Sequence, residues 1–332
     1  MSTIDAPFMM LEVAEVTSLT AYIVLLRLRD PDGVPLPGYQ AGAHIKVQVL
    51  IDGAPAWRHY SLINLDPVPQ ACEQPVEYVI AVRREDVELG GRGGSLYLHT
   101  AVRPGQLLPV GGPLNVFGLA ADADDVLLIA GGIGVTPLVS MATALSGVGK
   151  RYALHYSGRS VAQLALVDEL RTLAGAALAL YGDDAESRLD IDALLGSCRV
   201  SQPIYVCGPK GMVDAVRASA ARLGWPDDAV RYELFTEAAA QAGDRAFEVE
   251  LRQSGRVLQV GAQQTVLDAM LDAGLDPLYD CKRGDCGVCT VDLVDGVADH
   301  RDNCQSQAER AEGKVFQPCI SRARSLRLVL DA

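Results

Sequence analysis

The sequence lacks a long apolar stretch and an excess of basic charge. No run approaches the roughly eighteen apolar residues that a membrane-spanning helix needs, so we expect a soluble, cytoplasmic protein with no membrane partner. The first residues, MSTIDAPF, contain no apolar secretion signal, which predicts reduced cysteines rather than disulfides. The net charge of -13 argues against nucleic acid as a partner.

Motifs for direct oxygen chemistry are absent as well. The sequence shows neither a cluster of two histidines and one carboxylate nor a haem-binding motif, so nothing in it supports an enzyme that oxygenates a substrate by itself. It contains no internal repeat and no low-complexity tract. The length of 332 residues exceeds one ordinary hydrophobic core and predicts two or three domains.

Four of the eight cysteines have a ligand spacing. Cys281, Cys286 and Cys289 follow the pattern C-x4-C-x2-C, and Cys319 comes from a distant turn. This is the established plant-type spacing for a [2Fe–2S] cluster, in which each iron takes a pair of thiolates. We therefore predict that these four cysteines are metal ligands.

The alternatives for these cysteines are a zinc site, a disulfide pair or unrelated core thiols. Structural zinc usually takes paired C-x2-C knuckles, and only one is present here. Gly284 and Gly287 sit where the loop must fold over a cluster, because a Cβ would crowd the approach of backbone N–H groups to sulfur. The other cysteines have no ligand spacing and are predicted to be reduced thiols packed as small hydrophobes: Cys72, Cys198, Cys207 and Cys304.

Hydrophobic periodicity divides the chain. From Met9 to about Phe117 apolar residues alternate in period two between Gly and Pro turns, which predicts a closed antiparallel β-barrel. Strands then alternate with helices, which indicates a parallel α/β sheet. Its predicted elements are strands at 126–130, 152–156, 177–181 and 203–207 and a helix at 161–173. After a polar linker, a hairpin (247–251 and 256–260) and a helix (266–273) precede the cysteine loop, in the order of a small ferredoxin.

The segment RHYSL, residues 58–62, lies on a predicted barrel strand. A flavin bound at a strand needs an aromatic ring, a small hydroxyl near its N5 atom and a cation for its phosphate, and Tyr60, Ser61 and Arg58 supply these groups. The glycine-rich segment 90–95 would hold an anion with free backbone N–H groups and with its arginine and serine. The alternative for this segment is an ordinary glycine turn.

Residues 131–137, GGIGVTP, join a hydrophobic strand to the start of a helix. The glycines would let a pyrophosphate approach the backbone, while Thr136 caps and Pro137 begins a helix whose N-terminal dipole favours that anion. A second strand-to-helix turn at 206–210 would face the same crevice. The alternative is two ordinary turns, since residues 131–137 do not match G-x-G-x-x-G.

Together these stretches resemble the phthalate dioxygenase reductase family, which includes vanillate demethylase reductases, over essentially the whole chain. The resemblance implies a multidomain fold. It comprises an FMN-binding antiparallel β-barrel domain (1–118), an α/β parallel-sheet NAD(P)-binding domain (119–236), a linker (237–245) and a C-terminal β-grasp, plant-type [2Fe–2S] ferredoxin domain (246–332).

The resemblance also implies site residues. The implied catalytic residues are Ser61, Cys207 and Phe235. The implied FMN-binding residues are Arg58, His59, Tyr60, Ser61, Leu62, Arg92, Gly93, Gly94 and Ser95. Gly132, Thr136, Cys207, Gly208 and Pro209 would border the nicotinamide nucleotide. Arg159 lies where the adenosine ribose is chosen; its charge would suit a 2′-phosphate, whereas the resemblance favours NADH. The alternative for Phe235 is a core aromatic at a domain boundary.

The implied function is that of an oxygenase reductase component. Nicotinamide gives up two electrons together and an iron–sulfur cluster accepts one, so a flavin must stand between them. We expect hydride transfer from NADH to FMN, then single electrons through the cluster to a terminal oxygenase of Rieske type. That partner would dock transiently at the ferredoxin domain of a monomeric reductase. The rival hypothesis is a redox-sensing flavin and iron–sulfur protein without turnover.

Two features near the cysteines stay open. Asp280 precedes the first ligand and would disfavour the more negative, reduced cluster unless Lys282 or Arg283 offsets its charge. The segment His300-Arg301-Asp302 lies between the ligands in sequence and either shapes the cluster loop or forms its docking face.

Overall fold

The computed structural model describes residues 8–68, 70–86, 91–122, 124–183, 188–235 and 240–332. Gly90 of the predicted anion-binding segment and residues 236–239 at the predicted linker lie outside these ranges. The chain forms two compact units, one ending at Leu234 and the other beginning at Phe235, and each is described by itself. In the described ranges, no helix combines the length and apolarity needed to cross a membrane.

The first sheet of the first unit is antiparallel throughout. Its strands are β1 (Met9–Thr20), β2 (Ile23–Arg29), β3 (His44–Ile51), β4 (Ala54–Ser61), β5 (Glu77–Arg83) and β6 (Leu107–Leu114), in the order β4-β3-β6-β1-β2-β5. The end strands β4 and β5 come into contact, so the sheet curls into a barrel. Two short helices, α1 (Gln70–Glu73) and α2 (Gly94–Thr100), lie in its connections.

Alternation along β3 shows why these residues form a barrel. Ile45, Val47 and Val49 are fully buried in one hydrophobic core, whereas Lys46 and Gln48 between them are only half-buried. A strand with period-two burial places every second side chain inside, which is the pattern that the sequence predicts.

The second sheet is parallel, with strands β7 (Val126–Gly131), β8 (Tyr152–Gly158), β9 (Leu178–Gly182), β10 (Ile204–Cys207) and β11 (Val230–Glu233). The strand order is β11-β10-β7-β8-β9, so the winding direction reverses between β7 and β10. In such sheets ligands bind outside the carboxyl ends of the strands at this switch point. The helices of this part are α3 (Val135–Gly147), α4 (Val167–Ala174), α5 (Ile191–Gly196) and α6 (Lys210–Arg222).

Two local predictions in this sheet are wrong. The helix predicted at 161–173 is a 3-10 turn at 161–163 followed by α4, because Leu164 and Leu166 are buried and Leu166 adopts a left-handed backbone (φ 59°) that interrupts a helix. Thr136 does not cap α3: the cap is Gly134, and the Thr136 hydroxyl donates to the Ile133 carbonyl (3.0 Å) in the 3-10 turn before the helix.

The second unit contains a mixed sheet. Its strands are β12 (Phe247–Leu251), β13 (Arg256–Val260), β14 (Val291–Asp295), β16 (Val315–Phe316) and β18 (Arg327–Asp331), in the order β13-β12-β18-β14-β16, and β15 (Ala298–Asp299) pairs with β17 (Arg322–Ala323). β12 and β13 form the predicted hairpin. The helices are α7 (Val266–Asp272), which begins at a Thr265–Asp268 capping box, and α8 (Gln307–Glu312).

The three main sheets fall within the three predicted domain segments, at 9–114, 126–233 and 247–331. The domain boundaries themselves stay a prediction. The cysteine loop lies between α7 and β14 and has no helix or strand of its own.

Candidate functional site

The four predicted ligands come together in two pairs. The Cys286 thiol donates to Cys281, and the Cys319 thiol donates to Cys289. Among the described residues, no three or more His, Cys, Asp or Glu side chains surround one metal position. Paired thiols are the arrangement that a [2Fe–2S] cluster requires, because each of its irons takes two cysteines and shares the bridging sulfides.

In each pair of thiols, one member loses its proton more readily than the other. Hydrogen bonding from Cys286 lowers the pKa of Cys281 to about 5, and the Arg283 N–H adds a donor 3.4 Å from the Cys281 sulfur. Hydrogen bonding from Cys319 likewise lowers the pKa of Cys289. The donating thiols, Cys286 and Cys319, have raised pKa values because each holds the shared proton of its pair.

Glycine is required at one of the two predicted loop positions for space and at the other for conformation. A Cβ on Gly284 would stand 2.7 Å from Ile320 Cγ2 and 2.9 Å from Asp302 Cα, and the residue has φ 81°. At Gly287 a Cβ would meet only ordinary contacts, but φ is 70°. A side chain at Gly284 would thus clash with Ile320 and Asp302, while the predicted approach of backbone N–H groups to the cluster sulfur stays a prediction.

Gln317 is a residue that the sequence reading missed. It is buried (1% exposed), and its amide lies 3.4 Å from Cys289 Sγ and donates to Thr290 Oγ1 at 2.8 Å. It thus joins the end of the cysteine loop to the turn that carries Cys319. The only sequence signal was its position two residues before the fourth ligand.

The charged residues of the loop face inward or toward neighbours. Lys282 lies 3.8 Å from Asp268 and over the Tyr279 ring (4.9 Å), while Arg283 and Asp285 approach each other (3.6 Å) with both side chains 6% exposed. Burial raises the pKa of Asp285 to about 6. Cys304 is an exposed thiol, so its prediction as a packed core residue is wrong.

The first unit brings several predicted flavin residues together. A Cβ on Gly94 would be 2.8 Å from Arg58 Cγ, so the Arg58 side chain lies flat on that glycine, and its guanidinium donates to the Arg92 carbonyl (3.3 Å). Gly93 has φ 77° and precedes α2. Ser95 is already engaged: its hydroxyl accepts from the Glu85 N–H (3.0 Å). Two cations beside small residues suit a phosphate.

Ser61 is the clearest sign of a missing partner. It is 4% exposed, and its hydroxyl has no hydrogen-bond partner among the described residues. A buried hydroxyl without a partner is destabilising, and either a ligand atom or a water molecule at this position would satisfy it. Tyr60, the neighbouring predicted residue, packs against the barrel core, and burial raises its pKa.

His59 and Leu62 are placed differently from the rest. His59 packs beside His44, with ring centroids 5.1 Å apart. The Leu62 side chain is fully buried in the barrel core, and its carbonyl accepts from Ser140 Oγ of α3 (2.7 Å). Leu62 therefore offers only its backbone near a flavin, and it ties the flavin strand to the first helix of the parallel sheet.

The predicted nucleotide residues lie at the switch point. Ala130 of β7 is in register with Cys207 of β10, so both glycine-containing turns leave the sheet side by side. A Cβ on Gly134 would be 2.3 Å from the Cys207 carbonyl oxygen, which means the turns touch through bare backbone. Gly132 has φ 55° and open space around its missing Cβ. Such a backbone crevice fits a pyrophosphate.

The other residues considered near the nucleotide crevice differ in their exposure and in their neighbours. Arg159 is exposed just after β8. The structure adds Asp183, whose N–H donates to the Gly158 carbonyl (3.0 Å) and whose carboxylate lies 3.8 Å from Arg188, so an acid stands at the end of β9 beside the end of β8. The sequence reading missed Asp183 because it follows the adjacent strand β9. Glu233 is buried and in register with Cys207. Phe235 is half-buried at the start of the second unit, and its role stays a prediction.

Two family models match the chain. A "2Fe-2S iron-sulfur cluster binding domain" matches residues 249–324, and a "dimethylamine monooxygenase subunit DmmA-like, N-terminal domain" matches residues 114–230. The toluene-4-sulfonate monooxygenase system reductase subunit of Comamonas testosteroni is 37% identical over 322 residues, which cover 96% of this chain and 97% of that protein.

Solved structures give the same result. Phthalate dioxygenase reductase is 33% identical, with 100% of both chains covered and a TM-score of 0.69. An intact type IV self-sufficient cytochrome P450 monooxygenase is 35% identical with a TM-score of 0.78; the match covers 98% of this chain but 41% of that one. These matches confirm the predicted fold class. With 37% and 33% identity to these two reductases over nearly its whole length, the chain belongs to the phthalate dioxygenase reductase family.

Proposed function

We propose that this protein takes a hydride from NADH onto FMN and passes the electrons one at a time through its [2Fe–2S] cluster to the terminal oxygenase of a Rieske-type system. The coarser part is confirmed by family membership: the chain is an oxidoreductase that supplies electrons to an oxygenase, with a [2Fe–2S] cluster, a flavin and NADH. The choice of FMN, the residue roles and the type of oxygenase are the proposal.

One observation carries the proposal. The paired thiols for a one-electron carrier lie in the second unit, whereas the orphaned Ser61 hydroxyl and the switch-point crevice lie together in the first. A chain with a site for a two-electron donor and a site for a one-electron carrier needs a converter between them. FMN, when bound, would supply that conversion.

The residues of the first unit have placement roles. Arg58 and Arg92 would neutralise the FMN phosphate, Tyr60 would lie against the ring, and the Ser61 hydroxyl would hold the N5 side. The Gly132 turn and the Cys207 to Pro209 turn would receive the nucleotide at the switch point. No general acid or base is required, because a hydride moves without a separate proton.

Family membership implies an oxygenase as the partner, and we propose in addition where it docks. Val288, between the ligands Cys286 and Cys289, is 37% exposed, while Arg283 and Asp285 are buried, so the cluster loop presents a small surface to solvent. We place docking of the terminal oxygenase there, as a small transient contact. We further propose that the protein acts in the cytoplasm, where thiol ligands stay reduced, and that it is a monomer.

Anaerobic stopped-flow spectroscopy tests the order of carriers. We expect NADH to bleach the flavin first, a paramagnetic signal of the reduced iron cluster to follow, and rapid turnover with cytochrome c as a soluble one-electron acceptor. Extraction of the flavin and mass spectrometry should return FMN.

A protein that is reduced by NADH but does not turn over with any acceptor would support the redox sensor instead. In a separate experiment, purified oxygenases of the Rieske type and of the cytochrome P450 type are compared as electron acceptors. Support of a P450 and not of a Rieske oxygenase would overturn the partner assignment while leaving the reductase function intact.

A further inference from the structure

The fourth ligand must be held against a loop that is distant in sequence. The cysteine loop, residues 281–289, carries three ligands, and the Cys319 turn, residues 317–321, carries the last. We propose that Asp302 is a positioning residue that fixes these two segments to each other and so sets the geometry of the cluster pocket. This inference rests on the cluster assignment in the proposed function and not on the identity of the electron acceptor.

The carboxylate of Asp302 holds the Cys319 turn. Its side chain is fully buried (0% exposed), and its Oδ1 accepts from the Ser321 hydroxyl at 3.3 Å. Ser321 is also fully buried, accepts from the Arg301 N–H (3.2 Å) and donates its own N–H to the Gln317 carbonyl (2.9 Å). The turn is therefore closed internally and fastened at Ser321, two residues beyond the fourth ligand.

The backbone next to Asp302 holds the cysteine loop. The N–H groups of Asn303 and Cys304 donate to the Gly284 carbonyl at 2.8 and 3.2 Å. Gly284 lies so close to Asp302 that a Cβ would be 2.9 Å from Asp302 Cα. The stretch 302–304 thus contacts both segments, each at a residue two positions from a predicted ligand.

The remaining contacts of Asp302 keep the carboxylate oriented. Its Oδ2 accepts from the Gln305 N–H (3.0 Å) and lies 3.6 Å from the Cys304 thiol. Arg310 places Nη2 3.9 Å from Oδ2 and donates to the Asp302 carbonyl, and His300 lies 3.9 Å from Oδ1. A carboxylate can accept hydrogen bonds from the Ser321 hydroxyl and the Gln305 N–H at the same time. An amide in its place would present its own NH2 donor to one of these two donors.

The matched test compares Asp302→Asn with Asp299→Asn. Asp299 pairs with Arg301 and Arg324 in the same stretch of chain, and within the described residues none of its hydrogen bonds or ion pairs reaches Gly284 or Ser321. Each purified holoprotein is reduced with dithionite, so that the readout does not depend on NADH or flavin. The measurements are the paramagnetic spectrum of the reduced cluster and the rate of iron loss to a chelator.

We expect Asp302→Asn to lose iron at least about tenfold faster, in line with the effect of outer-shell changes at metal sites, and to shift the paramagnetic spectrum. Asp299→Asn should match the wild type in both. If Asp302→Asn does not fold, Ser321→Ala should show the same changes more weakly and Ser321→Thr should restore them. Wild-type iron loss and an unchanged spectrum in Asp302→Asn, or in Ser321→Ala, would overturn the proposal.

Discussion

The cysteine loop and the switch-point crevice hold their groups by opposite means. At the cluster pocket, three side chains of the loop and one of the Cys319 turn would supply the ligands, and the loop has no helix or strand of its own. In the crevice, backbone at the ends of β7 and β10 forms the site, and side chains such as that of Cys207 are buried behind it. A change of one side chain should therefore damage the first site far more than the second.

The largest effect is expected from Cys289→Ser. Loss of a ligand should reduce electron delivery to cytochrome c to below about a hundredth of the wild-type rate, since outer-shell changes alone cost 10–100-fold. Flavin bleaching by NADH should persist, because the flavin and nucleotide residues lie in the other unit. Stopped-flow absorbance and steady-state cytochrome c reduction measure the two steps.

Cys198→Ser is the matched control, because Cys198 is a half-buried thiol after α5 and takes no part in the ligand pairs. It should retain both steps. Loss of flavin bleaching in Cys289→Ser would contradict the order of carriers and would show that the two sites are not separable.

This contrast also explains what the sequence could predict. The ligands were predictable because spacing alone defines a thiolate set, and the hairpin 247–251 and 256–260 because its alternation is regular. Asp183 and Gln317 were not predictable. The residues that each contacts are remote in sequence and come near only through the strand order or through a loop contact. The prediction that Thr136 caps α3 is wrong because its hydroxyl donates to the Ile133 carbonyl in the 3-10 turn before the helix, and the sequence does not reveal that turn.

A smaller effect is expected from Ser61→Ala. In the first unit the backbone makes most of the proposed cofactor contacts, and this substitution removes one contact made by a side chain. Removal of the hydroxyl should slow flavin bleaching by NADH about tenfold, the kinetic equivalent of one hydrogen bond of about 1–1.5 kcal/mol. Ser61→Thr keeps the hydroxyl and should restore the rate. Bleaching of Ser61→Ala at the wild-type rate with full flavin content would remove Ser61 from the site.

The smallest effect on electron transfer is expected at the predicted linker, where a substitution changes the stability of the second unit and not a cofactor contact. Asp244, inside the predicted linker, accepts hydrogen bonds from both Nη atoms of Arg301 (3.0 and 2.5 Å), with its side chain 5% exposed. Arg301 adjoins Asp302, so the linker ends on the same stretch of chain that holds the cluster pocket. Hydrogen bonding from Arg301 lowers the pKa of Asp244 to about 2.

Asp244→Asn should lower the free energy of unfolding of the second unit by about 1.5–3 kcal/mol, the range for a hydrogen bond to a charged group. A depressed carboxyl pKa stabilises the fold above the ordinary value of 3.8 and loses that effect only as pH falls toward 2. The difference from wild type should thus be equal at pH 7 and pH 5 in urea unfolding. Glu312→Gln, which removes an exposed pair with Lys314, should change stability by less than about 1 kcal/mol. The difference should shrink only as the pH falls from about 4 toward 2. A difference for Asp244→Asn that stays unchanged down to pH 2 would show that Asp244 titrates normally and that Arg301 does not hold the linker.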